Sequence, residues 1–275
     1  MNITKLKSEI IRKKSFLCVG LDIDLEKVPR HFQHSPTALV DFSKAIIDAT
    51  VPYAVAYKPN IAFFETYGVE GFAALKEVIE YLNENYPEVF TIADAKRGDI
   101  GNTSTRYAKA YFETLGFDSI TVAPYMGKDS VEPFLAFEDK HTILLALTSN
   151  PGSSDFQHIT TNGTALFEQV LQTSKRWERS ENLMYVVGAT QATALKRIRE
   201  IVPEAFLLVP GVGAQGGSLN EVAKYGMNND VGLLVNSSRG IIYASQEENF
   251  QIAAAAAAKK LQVEMEQLIK EKNLF

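Results

Sequence analysis

Eight short apolar runs punctuate the chain: Phe16–Leu21, Tyr53–Lys58, Phe90–Asp94, Ser119–Ala123, Thr142–Leu147, Met184–Gly188, Phe206–Val209 and Val231–Val235. Each is rich in Val, Ile, Leu or Ala and too short for a helix. Their hydrophobicity is continuous rather than alternating, as expected of parallel strands covered on both faces. Between them the apolar positions fall three and four apart. Ala38–Ala49 (ALVDFSKAIIDA), Gly71–Tyr86 and Thr103–Gly116 follow that helical spacing. Asn249–Lys272 is alanine-rich and then amphipathic, which predicts a helix whose alanines pack tightly. Alternating strands and helices imply a parallel sheet. About eight such units predict an α/β protein with a single closed (β/α)8 TIM barrel, with residues 1–275 as one domain. An open doubly wound sheet is the alternative; no G-x-G-x-x-G follows the first run, where a dinucleotide fingerprint belongs. Two connections, Asp22–Pro36 and Asn150–Gly163, are long, and long loops at strand C-terminal ends are where barrel enzymes place substrate contacts.

Composition narrows the function classes. Hydrophobic residues are 46% and charged residues 22% of the 275, enough to bury a core. The formal charge of -5 argues against a nucleic-acid partner, so a phosphate site must be local. The one cysteine, Cys18, sits in FLCVGL and reads as a buried thiol. His31, His34, His141 and His158 form neither a metal nor a triad pattern and read as solvent-facing or loop residues; no metal site is expected. MNITKLKSEIIRKKS mixes charge with apolar residues at helical spacing and lacks the apolar centre of a secretory signal, and no stretch is apolar enough to span a membrane. The expectation is a cytoplasmic protein without a membrane partner.

The most unusual segment is FTIADAKRGDIGNTS, residues 90–104. An apolar run leads straight into Asp94, Lys96 and Asp99. Residues two apart on a strand share a face, so Asp94 and Lys96 are both expected at the barrel mouth, with Asp99 in the loop beyond. Lys58 ends the second run, in AVAYKPNIAFF, and adjacent strands would set it beside them. The result is a row of alternating charge: Lys58, Asp94, Lys96, Asp99. A structural ion-pair network could use such a row. Burying charges is costly unless they are paired, however, and clustered ionisable groups at strand C-terminal ends are more often chemical.

A second feature lies at the seventh and eighth runs. FLLVPGVGAQGG carries Gly211, Gly213, Gly216 and Gly217 around Gln215, and VGLLVNSSRG carries Arg239 and Gly240. Loops after the last two strands of such barrels often bind phosphate. Glycines let backbone N–H groups approach an anion, and arginine offers a bidentate fork. Tyr125, Asp129 and Thr190 also fall at expected strand ends and are candidates to line a pocket.

Together these segments resemble the orotidine monophosphate decarboxylase family across nearly the whole chain. DAKRGDIGNT matches its D-x-K-x-x-D-I-G-N-T pattern through Asp94, Lys96, Asp99, Ile100 and Thr103. GLD at Gly20–Asp22, Lys58, SNPG at Ser149–Gly152, PGVGAQGG at Pro210–Gly217 and Arg239 match as well. TVAPYMGKDS and the long loop after the first run are similar to the family's longer bacterial branch. The resemblance implies conversion of orotidine 5′-monophosphate to UMP without a metal or organic cofactor. It implies that Lys96 donates the proton, that Asp94 holds Lys96 and faces the departing carboxylate, and that Asp22 and Lys58 bind the ribose hydroxyls. It gives Ser149 to the pyrimidine edge and Gln215 and Arg239 to the phosphate. It also implies a homodimer in which Asp99 and Thr103 serve the neighbouring subunit's site. Three rivals remain at this point: a magnesium-dependent phosphosugar enzyme on the same barrel, a Schiff-base aldolase using Lys96 or Lys58, and a non-catalytic nucleotide-binding barrel.

Overall fold

The eight apolar runs become the strands of a closed parallel barrel. The computed structural model describes residues 1–212 and 217–274. The barrel strands are β1 (Leu17–Leu21), β2 (Ala56–Pro59), β3 (Phe90–Arg97), β4 (Ser119–Val122), β5 (His141–Leu147), β8 (Leu183–Val187), β9 (Leu207–Pro210) and β10 (Leu233–Ser237). Strands β6 (Thr160–Thr161) and β7 (Thr164–Ala165) form a separate two-stranded hairpin after β5. The closed order is β1-β10-β9-β8-β5-β4-β3-β2, and every pair is parallel. The open-sheet alternative is thereby excluded. Continuous hydrophobicity has the expected cause: all residues of β1, β2 and β8 are buried, between the barrel interior and a surrounding layer of helices.

Those helices are α1 (Ile3–Lys13), α2 (Ala38–Thr50), α3 (Ile61–Glu65), α4 (Gly68–Asn85), α5 (Gly101–Lys109), α6 (Lys128–Leu135), α7 (Leu166–Ser174), α8 (Ala192–Ile201), α9 (Leu219–Gly226), α10 (Arg239–Ile242) and α11 (Phe250–Glu271). Helix α1 starts because Asn2 accepts the Lys5 N–H at 3.0 Å and ends where Lys14 turns left-handed. In α11, Ala254 and Ala258 are fully buried one turn apart, and the helix packs on α2 and β1. Small side chains let it approach closely, which is the reason for the alanine run. Among the described residues no helix is long and apolar enough to cross a membrane.

Element boundaries moved where local backbone geometry intervened. The last strand begins at Leu233 rather than Val231, because Val231 and Gly232 both take positive φ, 67° and 63°. The second begins at Ala56, since residues 51–53 form a turn. The helix expected from Thr103 starts at Gly101 and closes in a π-turn, Ala110–Thr114. The histidine reading needs one correction. His31, His34 and His158 are exposed, but His141 opens β5 and is buried at 4% exposure. A β4 partner, Ser119, lies beside it, and burial pulls its pKa down to about 4, keeping the ring neutral despite Asp118.

Candidate active site

Register explains why Lys58 and Asp94 meet. Tyr57 pairs with Thr91, and Asn60 bridges Asp94, so Lys58, Asn60 and Asp94 share one face of neighbouring strands. Lys58 Nζ stands 2.6 Å from Asp94 Oδ2 and is only 4% exposed. Lys96 Nζ holds the other carboxylate oxygen, Oδ1, at 2.5 Å. Simple alternation does not bring Lys96 there. Between Ala93 and Arg97 the β3–β4 register slips, and Lys96 adopts φ 47°, an uncommon conformation for a residue with a Cβ. Thr121 stabilises the kink: its hydroxyl accepts the Lys96 N–H at 2.9 Å and stands 3.2 Å from Asp94 Oδ1, to which it donates. Arg97 anchors the following residue through an ion pair with Glu65 and lies over the Tyr107 and Tyr111 rings. Strain of this kind, on the order of 1–3 kcal/mol, is kept only where the surroundings enforce it, and it collects at functional sites.

The electrostatics keep Lys58 and Asp94 charged. Burial would lower the Lys58 pKa, but the charges of Asp94 and Asp22 outweigh it and raise it. Burial likewise works against Asp94 as an anion, yet the Lys58 and Lys96 ammoniums hold its pKa down at about 2. Lys58, protonated in this way, is a poor Schiff-base nucleophile, which counts against the aldolase rival at that residue.

A cavity at the strand C-terminal ends is lined by Asp22, Lys58, Asn60, Asp94, Gly211 and Arg239, with Pro210, Val212 and Asn236–Ser238 completing the wall. Five of the residues expected from the sequence therefore surround one space. Lys96 joins them through Asp94. Ser149 lies against Gly188 at the ends of β5 and β8, and its hydroxyl is buried without a partner among the described residues. Gly240 is exposed beside Arg239, and a side chain there would meet only open space; close packing is not what places glycine at that position. Gly213 and Gln215 lie outside the described residues, although Gly217 N donates back to Gly211 O across the same loop.

Two expected members stand apart. Asp99 accepts its neighbour's Ile100 N–H at 2.7 Å and forms no ion pair among the described residues. Thr103 is exposed on α5. The row of four charges is thus a cluster of three within one chain. Tyr125, Asp129 and Thr190 are exposed, Tyr125 at 89%, and are not part of the cavity wall. Sequence reading missed Thr121, Asn236, Ser238 and Tyr243. Only the SSR string beside Arg239 could have drawn attention to one of them; the others gain meaning through contacts distant in sequence. Cys18, as expected, is buried beneath this site, with its thiol pushed up to about 12 mainly by burial. Among the described residues no three His, Cys, Asp or Glu side chains converge to hold a metal ion.

Fold and site together define a (β/α)8 barrel of the kind that gathers ionised groups around a ligand at the C-terminal ends of its strands. Comparison with known proteins makes the class particular. The family model described as "Orotidine 5'-phosphate decarboxylase / HUMPS family" matches residues 15–254, and the chain belongs to that family. It is 63% identical over 272 residues to a Flavobacterium johnsoniae protein named orotidine 5′-phosphate decarboxylase, covering 99% of this chain and 100% of that one. A Christiangramia forsetii protein of the same name is 64% identical over 265 residues, 96% and 97% of the two chains. The solved structure of the Leishmania donovani OMP decarboxylase superposes with a TM-score of 0.85 at 39% identity, covering 98% of this chain and 99% of that chain.

Proposed function

We propose that the protein is a carboxy-lyase that converts orotidine 5′-monophosphate to UMP and CO2, the decarboxylation step of de novo pyrimidine biosynthesis, and does so without a metal or organic cofactor. The observation that carries the reading is the Lys58–Asp94–Lys96 cluster, joined by two ion pairs, with Lys58 and Asp94 on the wall of a cavity that also presents Arg239. Decarboxylation breaks the bond from C6 to the carboxylate and leaves the electron pair on C6. A fixed ammonium stabilises that charge and then supplies the proton; Lys96, held by Asp94, is the group assigned to both tasks. Dipoles and charges already in place cost no reorganisation as the reaction proceeds, usually the largest contribution to rate.

The remaining assignments follow the same reading. Asp22 and Lys58 bind the ribose, Ser149 the pyrimidine edge, and Arg239 with Gln215 and the Gly211, Gly213 and Gly240 backbone the phosphate. Asp22 Oδ1 and Ser149 Oγ, unpartnered among the described residues, support the first and second, since buried polar atoms ordinarily have partners. Asp99 and Thr103 belong to the active site of a second subunit in a cytoplasmic homodimer of single-domain chains. An Asp99 carboxylate without an ion pair among the described residues supports this, as does Ile100 beside it, 60% exposed. The metal-dependent phosphosugar rival is disfavoured because both Asp94 oxygens are already taken by lysines.

The test is an absorbance assay. Purified protein with excess chelator is expected to consume orotidine 5′-monophosphate and release UMP and CO2 in equal amounts. No turnover, or turnover abolished by chelator and restored by magnesium, would contradict the proposal.

A further inference from the structure

Ser238 occupies the N-cap position of α10, where a serine side chain ordinarily accepts a hydrogen bond from the first free helical N–H groups. It makes no such cap. The Ile241 and Ile242 N–H groups donate instead to the Ser238 carbonyl, at 2.8 and 3.0 Å. The hydroxyl turns the other way, to the end of β1. It stands 2.7 Å from Asp22 Oδ2 and 3.1 Å from the Gly20 carbonyl. With one hydrogen to give, the nearer and charged acceptor takes it, because a hydrogen bond to a carboxylate is the stronger one. Gly20 makes the approach possible: a Cβ there would lie 2.8 Å from both Cβ and Oγ of Ser238.

The opposite end of α10 holds the same residue by its backbone. The Tyr243 hydroxyl donates to Asp22 O at 2.9 Å and accepts the Asp24 N–H at 2.7 Å. Asp22 is therefore gripped twice by one short segment, while its Oδ1 is buried and has no partner among the described residues. That atom belongs to a residue on the wall of the cavity shared with Lys58 and Arg239. A carboxylate with one oxygen fixed and the other buried and unanswered is built to receive a hydrogen-bond donor.

We propose that Ser238 is a positioning residue, which fixes the Asp22 carboxylate so that Oδ1 meets a hydroxyl of the bound nucleotide's ribose. The inference rests on the nucleotide reading above. It adds a residue to the site that acts through Asp22.

A double-mutant cycle tests it, using orotidine 5′-monophosphate turnover and UMP binding by calorimetry, with a thermal melt of each variant. Ser238→Ala is expected to lower kcat/KM and weaken UMP binding by roughly tenfold or more, the scale of a hydrogen bond to a charged group. In an Asp22→Ala background the same change is expected to add nothing, because there is no carboxylate left to orient. A role confined to stability would give equal penalties in both backgrounds, and that result would overturn the proposal. So would a Ser238→Ala variant within twofold of wild type. A wild-type protein that neither turns over the substrate nor binds UMP would instead overturn the nucleotide reading itself.

Discussion

The two ends of the barrel both hold buried charge, and they treat it differently. At the N-terminal end Asp118 accepts from Thr91 N and Thr91 Oγ1, at 3.0 and 3.1 Å, and its other oxygen meets the Met1 amino group. Arg199 donates to the Gly226, Ala205 and Gly232 carbonyls, at 2.6, 2.5 and 2.7 Å. The groups left without partners there among the described residues, His141 Nε2 and Thr142 Oγ1, are neutral. At the C-terminal end, by contrast, a carboxylate oxygen of Asp22 is left over, Lys96 sits on strained backbone, and Asp99 is unpaired among the described residues. Charge that is fully answered holds a fold together; under the proposed function, charge left over meets a ligand or another chain. Complete pairing of charge at one end and incompleteness at the other matches the division of labour of such barrels, stability below and chemistry above.

Single substitutions at the two ends should separate these roles. The largest effect is expected at Lys96. Lys96→Ala should reduce turnover by several orders of magnitude with fold and UMP binding retained, measured by product formation, circular dichroism and calorimetry. Near-normal turnover in a folded variant would remove the contrast. At the other end, Arg199→Met should cost about 3 kcal/mol of stability, since it strips donors from several part-buried carbonyls. Its kcat should be unchanged; denaturant unfolding and a parallel assay decide it, and loss of activity without loss of stability would refute the division.

How far sequence could see differs in the same way. The eight strands were legible because a strand buried on both faces must be continuously apolar, and Lys58, Asp94 and Lys96 were legible because charges closing such runs are rare. The Lys96 kink was not, since it depends on Thr121 from the next strand. Ser238, Asn236 and Tyr243 were invisible because their partners, at Asp22, Cys18 and Asp24, are more than two hundred residues away. His141 was misread because a lone polar residue before an apolar run does not reveal that burial begins with it. The hairpin β6–β7 is too short for any periodicity to announce.

Smaller effects sharpen the comparison. Arg239→Ala should weaken nucleotide binding by about 1.5–3 kcal/mol, the range for a charge-assisted hydrogen bond, and the loss should shrink for the phosphate-free nucleoside. Equal losses for both would show that Arg239 does not touch phosphate. His141 should leave a pH signature on stability rather than on chemistry. Its folded pKa of about 4 lies below the ordinary 6.5, so between these values the unfolded chain binds a proton that the folded one refuses. Stability is then present in full above about pH 6.5 and is lost as pH falls towards 4, by on the order of 3 kcal/mol. His141→Gln should flatten that limb of the unfolding free energy against pH; an unchanged slope would show that His141 is not its source.

The proposed function requires that the incomplete end of one barrel be completed by another, with Lys96 and Asp99 drawn from different chains. Lys96→Ala and Asp99→Ala, each nearly inactive alone, can be dissociated, mixed and reassociated. In a mixed dimer one site carries both lesions and the other carries neither. Random pairing makes about half the dimers mixed, each with one intact site, so about a quarter of wild-type activity should return. If Asp99 serves its own chain, every site keeps a lesion. Activity that stays at the single-variant level, with subunit exchange confirmed by mass, would contradict the shared site directly.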